Sequence, residues 1–114
     1  MESILKKKSF QFAIEIVEYC EKLSLEKRFA LSNQLLRSGT SIGANISEAQ
    51  FASSRADMIN KLKISEKEAN ETLYWIEILS TLDFIEVPKD LKSNLIEIKK
   101  MLAASIKTLK SKEE

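Results

Sequence analysis

Apolar residues return every three or four positions along almost the whole of this chain, which is the period of an α-helix and not of a strand. Over about 3–23 the recurring positions are Leu5, Phe12, Ala13, Ile16, Tyr19, Cys20 and Leu23. A second helical pattern covers about 25–51 and is roughly 40 Å long as one helix. Ser24 stands where its N-cap belongs, although Lys27 occupies the position at which a capping box prefers Glu. A third pattern, about 55–83, carries the seam Met58, Leu62, Ser65, Ala69, Thr72, Ile76 and Leu79. It opens on Ser54-Arg-Ala-Asp57, a capping box with Asp in place of Glu. Glu86-Val87-Pro88 is the clearest break, because proline suits the first helical turn and disrupts later ones. The last pattern, about 88–110, spaces Leu91, Leu95, Ile98, Leu102, Ser105 and Leu109 by alternate fours and threes, a seam of coiled-coil type. Ile96, Ala103 and Ile106 widen it, and Ser111 to Glu114 reads as a frayed tail. Four amphipathic segments with short connections predict one all-α domain over 1–114, an antiparallel up-down-up-down four-helix bundle.

The second segment is the most informative, because it holds both glycines of the chain inside a helical pattern. Placed at 3.6 residues per turn, it divides into three stripes. The central stripe, Leu31, Leu35, Ser38, Ile42, Ile46 and Ala49, is a core face. One flank, Leu36, Gly39, Gly43 and Ser47, is a small-residue strip that lets another backbone approach closely, with Gly39, Gly43 and Ser47 at the contact. Ser65, Ala69 and Thr72 on the third segment are also small, so the two helices are expected to pack tightly there. The other flank is polar: Gln34, Arg37, Ser41, Asn45 and Glu48. Arg37 and Glu48 lie roughly 16 Å apart along the axis, so each needs a partner on another helix or another subunit. Glu66, Asn70 and Glu71 are the natural candidates for Arg37. We read Arg37, Ser41, Asn45, Glu48, Glu66, Asn70 and Glu71 as a structural polar network ahead of a catalytic one.

Composition narrows the function classes. Hydrophobic residues make up 44% and charged residues 31% of the 114, which suits a globular chain. The absence of histidine and the single Cys20 remove the commonest general base and the usual zinc sites, so no cofactor or metal is expected. A lone cysteine fits a reducing cytoplasm, and no apolar run is long enough to span a membrane. The net charge of +1 is not the usual footprint of a nucleic-acid-binding domain. Charge is nevertheless uneven: from Pro88 to Lys112 seven lysines face only Asp90 and Glu97. Lys89, Lys92, Lys99, Lys100, Lys107 and Lys110, with Lys6, Lys7 and Lys8, form a possible nucleic-acid surface that repetition in an oligomer would strengthen. Solvated helix faces are the competing reading.

Three further signals favour structural readings. Ser38-Gly-Thr-Ser-Ile-Gly lacks the Walker lysine and a preceding strand, so it is a packing segment and not a phosphate loop. Glu66, Glu68 and Glu71 lack the histidines that di-iron bundles use. Tyr74 and Trp75 are of a type that stacks on nucleobases, but Trp75 continues a stripe with Ile64, Ile78 and Leu82, which points to core or subunit contact. Apolar positions around so much of the third helix argue for oligomerisation.

Gln34-Leu-Leu-Arg37, Ser41-Ile42, Asn45-Ile46, Glu48-Ala49 and the run Glu66-Lys-Glu-Ala-Asn-Glu-Thr-Leu-Tyr-Trp-Ile-Glu-Ile-Leu79 resemble the bacterial four-helix-bundle family of 23S rRNA intervening-sequence proteins. The likeness covers nearly the whole chain; Ala49 departs from the glycine that many members carry after the glutamate. The accessory variability protein of diversity-generating retroelements, a nucleic-acid-binding pentamer, resembles the same fold family. The resemblance implies a cytoplasmic bundle assembled as a ring-like homopentamer, with no catalytic residues to carry over. The leading expectation is a non-enzymatic oligomeric bundle that binds RNA or a nucleoprotein partner. The alternative is a protein-interaction scaffold with no direct nucleic-acid role, and a carboxylate enzyme built on Glu48, Glu66 and Glu71 ranks third.

Overall fold

In the computed structural model, which describes residues 3–112, the four apolar stripes become four helices. They are α1 (Ser3–Leu25), α2 (Phe29–Ala49), α3 (Arg55–Thr81) and α4 (Lys89–Ser111). No strand occurs among the described residues. Helix α2 starts later than its pattern suggests, because Ser24 does not cap it. Ser24 belongs to the last turn of α1, and its carbonyl accepts the Lys27 N–H at 2.9 Å while the Leu23 carbonyl accepts the Arg28 N–H at 2.8 Å. Those two bonds form a Schellman C-cap, with Lys27 in the left-handed region at φ 61°. Arg28 then leads into α2 without a side-chain cap.

The other termini follow their local chemistry more closely. Helix α2 stops at Ala49, which leaves Phe51 outside it and exposed. The Ser54 hydroxyl accepts the Asp57 N–H at 3.0 Å and caps α3. The Asp57 carboxylate accepts from Ser53 N–H at 3.1 Å, so the reciprocal half of the box is displaced by one residue. Pro88 occupies the N-cap of α4 and precedes its first turn. At the other end Ser111 still belongs to the helix and Lys112 ends it; the last two residues of the expected tail lie outside the described residues.

Contacts between successive helices run in opposite directions. Cross-contacts of α1 with α2 pass from Cys20 and Ser32 to Lys6 and Gln50. Those of α2 with α3 pass from Ser38 and Thr72 to Glu48 and Lys61, and those of α3 with α4 from Glu77 and Lys92 to Arg55 and Lys112. Lys8 with Glu97 and Glu15 with Asn94 close the ring between α1 and α4, again antiparallel. The result is a rod of 50 × 20 × 20 Å. Its core includes Leu5, Phe12, Ile16, Leu35, Ile42, Ile46, Leu62, Ile76, Leu79, Leu95 and Leu102, all at most 1% exposed.

Small residues on both sides of α2 set how closely its neighbours approach, and the glycine strip does not face α3. A Cβ at Gly39 would lie 2.9 Å from the Ile16 side chain, and one at Gly43 would lie 3.2 Å from the Ser9 carbonyl oxygen. The strip therefore packs against α1. Helix α3 meets the core face of α2 instead: Ser65 Oγ donates to the Ile42 carbonyl at 2.8 Å, and the Thr72 and Ser38 hydroxyls lie 2.9 Å apart. The Ser65, Thr72 and Ser38 hydroxyls are thus satisfied across or within helices, so close approach strands none of the three.

Candidate functional site

Along the outer edge where α2 meets α3, Arg37 reaches two carboxylates. It donates to Glu68 at 3.1 Å and forms a close ion pair with Glu71. Glu71 also accepts the Trp75 indole N–H at 3.1 Å. The bond from Arg37, helped by that from Trp75, holds the Glu71 carboxyl below its ordinary range, and Glu71 with Glu68 raises the Arg37 guanidinium. Glu68, weighed in the sequence only as a metal ligand, was not among the partners expected for Arg37, although its three-residue spacing from Glu71 marks it as lying on the same helix face.

The remaining polar positions do not join that cluster. Ser41 and Asn45 donate to carbonyls of their own helix, Arg37 and Ser41. Glu48 pairs with Lys61 of α3 at 3.4 Å, an exposed contact that offsets the unfavourable place of an anion at a helix C-terminus. Asn70 is exposed on the outer face of α3. Glu66 and Glu71 project about 140° apart around α3, so Glu48, Glu66 and Glu71 do not converge on one site. Among the described residues no group of three metal-ligating side chains comes together.

The lysines divide into two sets. Lys89, Lys92, Lys99, Lys100, Lys107 and Lys110 fall within about 100° of the α4 circumference, a strip roughly 32 Å long. All are exposed except the half-buried Lys99. Asp90 and Glu97 project from the other flank of α4, and Lys92 pairs with Glu77 of α3 at 3.6 Å. Lys6, Lys7 and Lys8 do not extend this strip, since consecutive helical residues point about 100° apart. Lys6 donates to Gln50 at 3.1 Å on the α2 side, and Lys8 pairs with Glu97 on the α4 side.

Exposed apolar surface gathers elsewhere. Phe10, Ile14 and Val17 follow one another along the outer face of α1 and are 67%, 39% and 44% exposed. Val17 and Leu25 of α1 line a groove with Leu36 of α2, and Phe29 continues the exposed apolar side of α2. On α3 the stripe of Ile64, Trp75, Ile78 and Leu82 is half-buried, so the apolar surplus belongs to α1 and α2 and not to the third helix. Tyr74 is the large apolar residue of α3 left open. Among the described residues no helix is long and apolar enough to cross a membrane.

With this geometry in hand, similarity to known proteins is specific. A family model described as 23S rRNA-intervening sequence protein matches residues 1–104. A crystal structure from Bacteroides thetaiotaomicron VPI-5482, described as a protein with unknown function from the S23 ribosomal protein family, is similar at 49% identity with a TM-score of 0.86. The alignment covers 90% of this chain and 98% of that one. Among curated proteins no sequence matches.

Proposed function

The chain belongs to the 23S rRNA-intervening sequence protein family, and from that premise we propose that it is a non-catalytic, self-associating cytoplasmic bundle that binds RNA or a nucleoprotein through the outer face of α4. The observation that carries the reading is the lysine strip from Lys89 to Lys110; Asp90 and Glu97 lie on the flank of α4 beside it, and Glu97, one turn from Lys100, is paired with Lys8 of α1. A net charge of +1 does not oppose it, because a phosphate backbone meets the local face and not the sum over the chain. Assembly as a homopentamer, the state implied by the family resemblance, would repeat the strip around a ring and multiply its field.

The test is filter binding of a structured RNA at low and high salt. Salt-sensitive binding is expected, and the double substitution Lys100→Glu with Lys107→Glu should weaken it at every RNA sequence and reduce the salt slope by about 2. No salt-sensitive binding at low ionic strength overturns the reading. The exposed apolar side formed by Phe10, Ile14, Val17, Leu25, Phe29 and Leu36 favours a second reading, a protein-interaction scaffold. A partner recovered with the native chain that survives nuclease treatment supports the scaffold reading.

A further inference from the structure

Tyr74 has no role in the core or in the ion pairs described above, yet its surroundings are ordered. It is 58% exposed on the outer face of α3, and Lys67 and Asn70 precede it on that face. Its ring forms a T-shaped pair with Trp75, 5.3 Å between centroids and 65° between planes. Trp75 is fixed by its bond to Glu71, and Tyr74 beside it stays more than half exposed. The two carboxylates one turn away on either side, Glu71 and Glu77, are each held by a cation from an adjacent helix, Arg37 and Lys92 respectively. The anions nearest the ring are therefore compensated, and Lys92 places the first lysines of the α4 strip beside it.

From this juxtaposition we infer that Tyr74 is a base-stacking site for single-stranded RNA, with the phosphate backbone running from Lys67 across to Lys99 of the α4 strip. The inference rests on the RNA-binding reading above and narrows it to one conformation of the ligand. An exposed ring beside a fixed indole offers stacking surface to an unpaired base, whereas bases inside a duplex are already stacked and do not reach it. Lysines alone distinguish poorly between single strands and duplexes, so the preference would come from the tyrosine.

The experiment measures fluorescence anisotropy of labelled oligouridylate and oligoadenylate, and of a duplex of equal length, with the full chain and three variants. Tyr74→Ala is expected to weaken single-strand binding by roughly five- to a hundredfold and to leave duplex binding within about twofold. Tyr74→Phe should keep the native affinity, and Tyr74→Leu should behave like Tyr74→Ala, because stacking needs the ring and not the hydroxyl or mere apolarity. Helical circular dichroism is expected to be unchanged in all three, as the side chain is on the surface. Equal binding of single strands by the native chain and Tyr74→Ala overturns the stacking site and leaves the RNA reading standing. Equal losses on single strand and duplex, or a Tyr74→Phe loss as large as that of Tyr74→Ala, also overturn it. Failure of the native chain to bind any of these RNAs at low salt overturns the stacking site and the RNA reading together.

Discussion

Tyr19 is 4% exposed in the last third of α1, and its hydroxyl has no hydrogen-bond partner among the described residues. Burial, then the nearby Glu26 and Cys20, pushes its phenol from the ordinary 10.0 up to about 12. A raised value means that the folded state prefers the neutral phenol. The associated stability is fully present below pH 10 and drains away as pH rises to about 12. Urea denaturation across that interval should show a loss of about 1–2 kcal/mol assignable to this residue. Tyr19→Phe should remove that component and be no less stable at neutral pH, since it deletes an unpaired hydroxyl. An identical alkaline profile for both proteins would disprove the assignment. Individual residues were unevenly legible in the sequence. Arg37 announced itself by charge and face, but Glu68 lay hidden behind a choice among several glutamates. Lys27 gave no sign that it would adopt a left-handed conformation, because that position is normally recognised by glycine.

At the scale of an element, α2 is held between two close neighbours and has little room to adjust. Gly39→Ala gains about 1 kcal/mol of helix propensity but places a methyl group against the branched atoms of fully buried Ile16. Packing strain should win, for a net loss of about 1–2 kcal/mol in chemical denaturation. Gly43→Ala should cost less, because its methyl would meet the Ser9 carbonyl oxygen at 3.2 Å, a tight contact but short of the 2.9 Å overlap at Gly39. Pairing Gly39→Ala with Ile16→Ala should be less damaging than the sum of the two changes, which a double-mutant cycle will measure. If both glycine substitutions stabilise, the close seam does not exist. The helices themselves could be read from periodicity alone, because each buries one stripe. The partner of the glycine strip could have been read too: Arg37 and Gly39 occupy opposite flanks of α2, so a helix that engages Arg37 cannot also cover Gly39. The ends resisted more: Ser24 is a favourable cap residue that lacks only the acidic box partner Asp57 gives Ser54, and the turn at Lys27 placed it inside α1 instead.

For the whole molecule, the two layers of the bundle present different chemistry to their surroundings. The α1–α2 side carries the exposed apolar residues, and the outer strip of α4 carries cations. If the apolar side is where copies meet, Phe10→Lys combined with Val17→Lys should abolish association in light scattering at micromolar concentration. Stability of the individual fold should change by no more than about 0.5 kcal/mol, as both side chains are at the surface. A native chain that is already monomeric would remove self-association from the proposed function. The ring closed between α1 and α4 also fixes an order in time. Helices α1, α2 and α3 pack on chain neighbours through short connections, so these contacts can form while synthesis is still under way. Only the docking of α4 on α1 joins the first and last helices of the bundle. A nascent chain therefore carries its unfinished core uncovered until the lysine-bearing helix arrives, and that helix is the lid that ends its vulnerability to aggregation.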